Sequence, residues 1–335
     1  MPNSNQVQTK PRIVIASPAS AQENNGNWQT ASRWARFLDD DYMVEIVPEW
    51  RDGDADAALL IALHARRSAP SLAAFSAAFP QRPSVLVMTG TDLYRDIAVD
   101  AGARESLQRA DAIVLLQPAG LAQLPAESRA KAHIIYQSAD ALRCAPTRRK
   151  RAICMVGHLR DEKDPETFMR AASMLPYHFV HIGAALDPAL ETAARRTALD
   201  HPHYQWLGPL PRDEARERLA RSHAMVIASR MEGGANVIIE AVTSAVPVLA
   251  SDIDGNRGML GDDYAGYFPV GDAHALAALI QRSVTDKDFY AVLQAQCAAR
   301  ALLFTPGAER AALRELVDNL LHRTSLRPST EQESP

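Results

Sequence analysis

Short apolar runs alternate with longer amphipathic segments along most of this chain. Each run is four to seven residues long and rich in Val, Ile, Leu and Ala, as buried parallel strands are. We predict strands at residues 12–17, 42–47, 57–63, 84–88, 111–117, 133–137, 152–156, 179–182, 204–207, 224–228, 246–250 and 264–270. The amphipathic segments between them predict helices, and the alternation of strand and helix is typical of doubly wound parallel sheets.

The chain is long enough for two domains, and a basic segment marks the best boundary between them. At 335 residues two separate hydrophobic cores are expected. Residues 144–151 combine Pro146 with four clustered basic side chains, which is typical of a solvated linker. The predicted parts are a disordered tail at 1–11, an N-terminal Rossmann-like domain at 12–146, a C-terminal Rossmann-like domain at 147–305, a last helix at 306–323 and a disordered polar tail at 324–335.

Residues 223–255 have the layout of an anion-binding βαβ unit. The amides before and at the start of its helix are candidates for phosphate binding, because N–H groups and the helix dipole converge there: Gly233, Gly234, Ala235 and Asn236. Glu232 precedes this helix and Glu240 lies within it, roughly 10 Å further along. That separation suits two hydroxyl-bearing ends of one extended ligand. Taken alone, however, such a pair is more often a loop side chain and a solvated helix side chain.

The segment Glu232-Gly-Gly-Ala-Asn-Val-Ile-Ile-Glu240 resembles the E-x7-E signature of the GT-B glycosyltransferases of family four. The resemblance implies that Glu232 contacts the donor sugar and that Glu240 holds the nucleotide ribose. It also implies an α/β fold of the GT-B class, with two doubly wound Rossmann-like domains facing a cleft. In that fold the C-terminal helix crosses back to the N-terminal domain.

A second loop resembles the same family. The family pattern G-R-L-x-x-E-K corresponds here to Gly157-His-Leu-Arg-Asp-Glu-Lys, and it implies that an Arg and a Lys hold the donor diphosphate. Lys163 matches the pattern, whereas His158 occupies the Arg position and Arg160 follows two residues later. Lys163 and Arg160 are therefore predicted to stabilise the leaving group, with His158 also at the donor. Gly208 matches the family loop that faces the nucleotide base.

Three polar loops follow predicted strands of the first half, at the edge where open α/β sheets bind ligands. Their candidate acceptor residues are Asn25, Gly26 and Asn27 in the first loop, Arg66 and Arg67 in the second, and Gly90, Thr91, Asp92 and Arg95 in the third. Guanidinium groups and backbone N–H groups suit a small anion, and His64 is the one evident base. Each loop has a plain alternative: a flexible helix entry, a solvated arginine pair, and a helix cap made by Thr91 or Asp92.

Composition argues against several classes of function. The net charge of −4 provides no basic field for nucleic acid or an anionic membrane, and the three cysteines are widely spaced. No segment approaches 18 apolar residues and the N-terminus has no signal-peptide core, so a cytoplasmic protein is expected. His201 and His203 lack nearby partners for a metal, and Asp252-Ile-Asp254 is predicted to cap the next helix. No metal is expected.

Longer strings narrow the resemblance to one branch of the family. The strings are Asn25-Gly-Asn-Trp-Gln-Thr-Ala, Leu63-His-Ala-Arg-Arg-Ser-Ala, Thr89-Gly-Thr-Asp-Leu-Tyr-Arg-Asp, Gly157-His-Leu-Arg-Asp-Glu-Lys-Asp-Pro and Ser229-Arg-Met-Glu-Gly-Gly-Ala-Asn-Val. Together they resemble the selenosugar synthases of selenoneine biosynthesis. The resemblance implies that a UDP-sugar, UDP-N-acetylglucosamine or UDP-glucose, reacts with selenophosphate to give a 1-selenosugar, UDP and phosphate. It implies no cofactor, and functional links to a selenophosphate synthetase and to the downstream enzyme that forms the next C–Se bond.

The implied chemistry depends more on positioning than on a strong base. A selenium anion is already a good nucleophile, so Lys163, Arg160 and Glu232 are predicted to act on the donor while His64 positions water for Se–P cleavage. Two other functions fit the same sequence. One is a conventional GT-B transferase whose carbohydrate or lipid acceptor would need an aromatic or amphipathic groove. The other is a protein that binds a nucleotide sugar tightly without consuming it.

Overall fold

The structure is a computed structural model, and it describes residues 10–19, 26–54, 56–142 and 152–325. The chain divides into two compact units. The first unit comprises the residues up to Leu116, 121–135 and those from Arg310 onward, and the second comprises Gln117–Gly120 and Tyr136–Glu309. The boundary predicted near Pro146 lies outside the described residues, as does most of each predicted tail.

Each unit contains a sheet of six parallel strands. The strands of the first sheet are β1 (Arg12–Ala16), β2 (Met43–Val47), β3 (Leu59–Leu63), β4 (Ser84–Met88), β5 (Ala112–Leu115) and β6 (Ala132–Ile134). Those of the second are β7 (Ala152–Val156), β8 (His178–Ile182), β9 (Tyr204–Trp206), β10 (Ala224–Ile227), β11 (Val248–Ser251) and β12 (Tyr267–Phe268). Every predicted strand is present, and the two doubly wound sheets are confirmed.

Helices connect the strands in both units. The first unit contains Gly26–Leu38, Ala69–Ala78, a π-helical turn at Asp92–Asp96 that continues into Ile97–Val99, Ala101–Arg109 and Ala126–Arg129. The second contains Pro165–Met174, Pro188–Asp200, Arg212–Ala220, Asn236–Thr243, Asp254–Leu260, Ala273–Thr285 and Lys287–Ala301. Short 3-10 turns lie at Pro118–Gln123, Asp161–Lys163 and Leu302–Phe304, and the last helix is Pro306–Ser325.

The central strands β3, β4 and β5 of the first sheet are buried on both faces because their residues are almost all apolar. Alternate residues of a strand point to opposite faces, so Ile61 and Leu63 join one hydrophobic cluster while Leu60 and Ala62 join another. The first of these clusters also contains residues of the last helix at helical spacing: Leu313, Leu316, Val317 and Leu320. The last helix therefore completes the core of the first unit, and its predicted return to the N-terminal part of the chain is confirmed.

The strand order places one switch point in each sheet. The second sheet runs β12-β11-β10-β7-β8-β9, so the chain changes direction between the neighbours β7 and β10. The first runs β2-β1-β3-β4-β5-β6, with the change between β1 and β3. Ligands of open α/β sheets bind beyond the carboxyl ends of strands at such points. The loops after β7, β10 and β3 are therefore the first places to look for function.

Candidate functional site

In the second unit, the loops that follow β7 and β10 are joined by a partly buried ion pair. Lys163 Nζ donates a hydrogen bond to Glu232 Oε1, and Ser229 Oγ donates to the same oxygen at 2.6 Å. The side chains of Lys163 and Glu232 are only 19 % and 10 % exposed. The backbone N–H of Arg230 also donates to the Glu162 carbonyl at 2.9 Å. The two loops thus form one polar assembly at the switch point.

Two glycines allow backbone segments to approach this assembly closely. A Cβ atom at Gly255 would lie 2.0 Å from the Glu232 carbonyl oxygen, so only glycine fits beneath that loop. A Cβ atom at Gly183 would lie 2.0 Å from the Gly157 carbonyl oxygen, and Gly183 has a φ of +154°. Since both contacts are with backbone atoms, neither can be relieved by a side-chain rotation. The positions of Glu232 and Gly157 are fixed by the packing of neighbouring loops.

A buried histidine supports the loop after β7. The ring of His181 is fully buried, with Nε2 3.2 Å from the Gly157 carbonyl and Nδ1 3.0 Å from the Tyr204 hydroxyl. Burial lowers the pKa of His181 to about 4, so the ring is neutral at pH 7 and Nε2–H donates to Gly157. His181 was not among the predicted site residues. The only signal in the sequence is a polar ring inside the apolar strand His178–Ile182.

The other predicted residues of the loop after β7 are more exposed. His158 Nδ1 accepts the N–H of Ala184 at 3.0 Å, and desolvation together with the positive charges of Arg160 and Lys163 lowers its pKa. Arg160 Nε lies 4.0 Å from Glu162 Oε2, and the Arg160 side chain is 42 % exposed. Both cationic candidates, Arg160 and Lys163, are therefore carried by the same loop.

Glu240 is held by two arginines that sequence reasoning did not identify. It lies in the second turn of the helix Asn236–Thr243, which follows the Gly233-Gly234 link. Its Oε1 accepts Arg212 Nε at 3.2 Å and Nη2 at 3.0 Å, and Arg216 Nε lies 3.6 Å away. Because Glu240 is only 8 % exposed, its charge needs these partners. The two arginines are one turn apart on a neighbouring helix, a register that depends on tertiary packing.

The remaining donor candidates lie at the same end of the second sheet. Ala235 occupies the cap position of the helix Asn236–Thr243 without a side-chain cap, so the first N–H groups of this helix have no partner within the helix. Gly208 follows β9 with a φ of +68°, a left-handed conformation that favours glycine. Its carbonyl accepts the Gly183 N–H at 2.9 Å. The structure therefore brings the predicted donor residues to one edge of one sheet.

In the first unit, His64 directly follows β3 and adopts a left-handed backbone conformation with φ +76°. The residue is 4 % exposed, and its Nδ1 lies 3.4 Å from the Arg67 N–H that donates to it. Nε2 lies 3.4 Å from Thr91 Oγ1 and 3.9 Å from Asp96 Oδ2. Burial lowers the pKa of His64. A water positioned by this ring would have to replace Thr91 or Asp96 at Nε2, and that role stays a prediction.

The loop after β4 does not form the predicted helix cap. Thr91, at the cap position, makes no cap hydrogen bond to the helix. Asp92 is fully buried, and its carboxylate accepts the N–H groups of Thr89 at 2.9 Å, Gly90 at 2.8 Å and Ala65 at 2.9 Å. The cap interpretation is therefore wrong, because Asp92 joins the loop after β4 to the loop after β3. The chain then forms a π-helical turn over Asp92–Asp96.

Asp96 binds two of the predicted arginines, although it was not itself predicted as a site residue. Arg66 Nε donates to Asp96 Oδ2 at 2.8 Å and Arg95 Nε donates to Oδ1 at 3.1 Å. Asp96 is 3 % exposed, whereas the side chains of Arg66 and Arg95 are 44 % and 49 % exposed. Burial acts to raise the pKa of Asp96, but the hydrogen bonds from Arg95 and Arg66 hold it below its ordinary value. The result is a pair of half-exposed guanidiniums on one buried carboxylate.

The remaining acceptor candidates are Asn25, Gly26, Asn27 and Arg67. Gly26 and Asn27 begin the helix Gly26–Leu38, and Asn25 lies outside the described residues. Arg67 is exposed and contributes its backbone N–H to His64. The structure thus joins His64, Arg66 and Arg95 through Asp96, and Thr91 through His64.

Three further sequence features concern a metal site, a helix cap and a membrane-spanning helix. No three His, Cys, Asp or Glu side chains there are grouped as a metal site requires. Asp252 binds Arg257 through two hydrogen bonds of 2.6 and 2.9 Å. Ile253 occupies the cap position of the helix Asp254–Leu260 without a side-chain cap, so Asp252 pairs with Arg257 instead of forming the predicted cap. Among the described helices, none combines the length and apolar character needed to cross a bilayer.

Comparison with known proteins identifies the family. The model of the family described as "Glycosyl transferases group 1" matches residues 145–326, which is more than half of the chain. The chain belongs to the group 1 glycosyl transferases. No curated protein sequence matches this glycosyl transferase. The matched region includes β7 to β12 and both glutamates of the E-x7-E segment.

Three solved structures similar to this glycosyl transferase align with 79 to 94 % of its length. A sucrose-phosphate synthase from Thermosynechococcus elongatus has a TM-score of 0.75 and 16 % identity, and the alignment covers 94 % of this chain and 100 % of that one. Anabaena HepE, solved with UDP and glucose, has a TM-score of 0.73 and 14 % identity, covering 92 % and 99 %. The pneumococcal O-GlcNAc transferase GtfA, solved with UDP and GlcNAc, has a TM-score of 0.65 and 18 % identity, covering 79 % and 57 %. These likenesses establish the GT-B fold.

Proposed function

We propose that this glycosyl transferase is a selenosugar synthase, which transfers the sugar of UDP-N-acetylglucosamine or UDP-glucose to the selenium of selenophosphate. The observation that carries the proposal is the pair Arg66 and Arg95 on the buried carboxylate of Asp96. A small anionic acceptor needs half-exposed cations held in a fixed arrangement, whereas a neutral sugar acceptor does not. The resemblance of the loops after β3 and β4 to those of selenosugar synthases points to the same acceptor.

The second unit supplies the donor site in this proposal. Lys163 and Arg160 bind the diphosphate, together with the amides of residues 233–236 at the start of the helix Asn236–Thr243. Glu232 accepts hydroxyl groups of the sugar, and Glu240 accepts those of the ribose. His158 and Gly208 contact the nucleotide from the loops after β7 and β9. The ion pair of Lys163 with Glu232 supports this division, since it holds a cation and an acceptor side by side at the switch point.

The first unit supplies the acceptor site. Arg66 and Arg95 both bind Asp96 through Nε, and their planar forks match the oxygens of a phosphate group. The guanidiniums of both arginines meet the one carboxylate of Asp96, and burial lowers the pKa of His64. Thr91 offers its hydroxyl group in the same loop, Gly90 allows the backbone to approach a ligand closely, and Asp92 fixes that loop. Arg67, Gly26 and Asn27 complete the proposed set.

The proposed reaction has two steps and needs no metal or cofactor. Selenium attacks the anomeric carbon, the C–Se bond forms, and the bond from carbon to the diphosphate oxygen breaks with its electron pair leaving on UDP. Water then attacks phosphorus, and the P–Se bond breaks to release phosphate and leave the electron pair on the 1-selenosugar. The first step needs charge stabilisation by Lys163 and Arg160 rather than a base, because the selenium is already anionic. The proposal requires an enzyme that supplies selenophosphate and one that consumes the 1-selenosugar.

The direct experiment measures UDP release and product mass with different acceptors. Purified protein is incubated with UDP-N-acetylglucosamine, and in parallel with UDP-glucose, adding selenophosphate, thiophosphate or an organic hydroxyl acceptor in turn. We expect UDP release that depends on selenophosphate, and a product whose mass is that of the 1-selenosugar. A reaction without an acceptor controls for hydrolysis of the donor. Sugar transfer only to an organic hydroxyl group would overturn the proposal in favour of a conventional transferase, and tight donor binding without consumption in any reaction would favour a binding protein.

A further inference from the structure

We infer that Ser229 is a positioning residue for Glu232, and that its hydroxyl determines which carboxylate oxygen meets the donor sugar. The inference rests on the proposed donor site, but not on selenophosphate as the acceptor. Ser229 lies two residues after the end of β10 and three residues before Glu232, and it is fully buried. It was not among the residues predicted from the sequence.

The direction of the hydrogen bonds assigns the two oxygens of Glu232 different environments. A carboxylate only accepts, so the Ser229 hydroxyl and the Lys163 ammonium both donate to Oε1. Within the described ranges no hydrogen bond to Oε2 is present. The terminal torsion of a Glu side chain is soft, and a carboxylate held by one donor alone could turn over or tilt. Two donors from different directions fix Oε1 and leave Oε2 for a ligand hydroxyl.

A buried chain of hydrogen bonds fixes Ser229 in turn. Ser251 Oγ donates to the Ser229 carbonyl at 2.6 Å, and Asn256 Nδ2 donates to the Ser251 carbonyl at 2.8 Å and to its Oγ at 3.1 Å. Ser229, Ser251 and Asn256 are all fully buried. Hydrogen-bonded networks of buried polar groups hold a side chain in one orientation. The network therefore extends from the helix Asp254–Leu260 to the carboxylate that faces the ligand.

Ser229 and Lys163 therefore have different roles in the proposed donor site. Lys163 exchanges or shares its contact with Glu232 when a diphosphate arrives, because both anions compete for one ammonium. Ser229 is neutral and does not compete for the diphosphate, so its hydrogen bond to Oε1 persists while Lys163 is engaged. Ser229 thus keeps Glu232 oriented toward the sugar in the complex where orientation matters for reaction. Removal of its hydroxyl should weaken recognition of the sugar and leave recognition of the nucleotide intact.

The test compares Ser229→Ala with the wild-type protein in binding and in turnover. Calorimetry with UDP and with UDP-N-acetylglucosamine separates the nucleotide from the sugar. We expect the affinity for UDP to change by less than about twofold, and kcat/KM for the UDP-sugar to fall by roughly 10- to 100-fold, the range spanned by one hydrogen bond to a charged group. Ser222→Ala is the matched control, because Ser222 is a buried serine of the same unit whose hydroxyl donates to the Arg218 carbonyl at 2.9 Å.

A double-mutant cycle with Glu232→Gln distinguishes positioning from a general structural role. If Ser229 acts through Glu232, the variant with both changes should be about as impaired as Glu232→Gln alone. Additive losses, or a Ser229→Ala variant that loses affinity for UDP as much as for the UDP-sugar, would overturn the inference. If the wild-type protein never consumes selenophosphate but Ser229→Ala selectively loses UDP-sugar binding, the inference is supported and the proposed acceptor is wrong. Wild-type protein that binds neither UDP nor the UDP-sugar would overturn both the inference and the donor site.

Discussion

At the switch point of the second unit Lys163 and Glu232 pair with each other, whereas near that of the first unit Arg66 and Arg95 share the single carboxylate of Asp96. The first arrangement pairs one cation with one carboxylate. The second places two half-exposed guanidiniums on one buried carboxylate. Similar sheet topology thus supports two arrangements, with one cation on the carboxylate of Glu232 and two on that of Asp96.

The largest effect is expected when the cation of the Lys163–Glu232 pair is removed. Lys163→Ala should lower kcat/KM for the UDP-sugar by roughly 100- to 1000-fold, because it removes a charge that stabilises the departing diphosphate. The exposed Lys287 of the same unit provides the control Lys287→Ala, which should retain wild-type rates. Steady-state UDP release measures both. Near-normal activity of Lys163→Ala would remove this lysine from the donor site.

The buried His181 beneath the loop after β7 can be tested through the pH dependence of the free energy of unfolding. The folded protein keeps His181 neutral down to about pH 4, whereas the unfolded chain binds a proton near pH 6.5. This lowered pKa contributes stability above pH 6.5, and about 3 kcal/mol of unfolding free energy is lost from this group as the pH falls to 4. Denaturant unfolding at several pH values measures the loss.

A variant makes that pH test specific. His181→Gln should make the dependence between pH 6.5 and 4 less steep by about this amount, because a glutamine side chain does not titrate. His178→Gln changes an exposed histidine of the same strand and should keep the wild-type dependence. An unchanged pH dependence in His181→Gln would show that His181 is not the group responsible.

The smallest expected effect concerns the acceptor arginines. Arg66→Gln should raise KM for selenophosphate by roughly 10- to 100-fold, since it removes one charged hydrogen-bond donor to the anion. Arg104→Gln is the control, because the exposed Arg104 guanidinium donates to the carbonyls of Ile97 and Ala98 in the same region. Initial rates with selenophosphate as the varied substrate measure both. Equal KM values for Arg66→Gln, Arg104→Gln and wild type would contradict an acceptor role for Arg66.

The strands and most helices could be predicted because their signal is local. A buried parallel strand such as Leu59–Leu63 is an unbroken apolar run, and Pro165, Pro188 and Pro306 each begin a helix. Glu232, Glu240 and Lys163 were identified as candidates because they belong to motifs of fixed spacing. Their function in this chain stays a prediction, but the structure places all three at one edge of the second sheet.

The partners of these residues could not be predicted because they depend on tertiary packing. Arg212 and Arg216 reach Glu240 from another helix, and His181 lies beneath Gly157 from the next strand. Asp96 was missed for a different reason. A regular helix with a cap was expected after Thr91, whereas the chain forms a π-helical turn whose last residue turns its carboxylate toward Arg66. Local propensity does not predict such a turn.

The most direct test of the account varies both substrates against both variants, Lys163→Ala and Arg66→Gln. If the donor lies in the second unit and the anionic acceptor in the first, Arg66→Gln should raise KM for selenophosphate while KM for the UDP-sugar stays within about twofold of wild type. Lys163→Ala should impair use of the UDP-sugar and leave KM for selenophosphate within the same limit. An Arg66→Gln variant that loses UDP-sugar affinity as much as selenophosphate affinity, or that loses neither, would contradict the assignment of the two substrates to the two units.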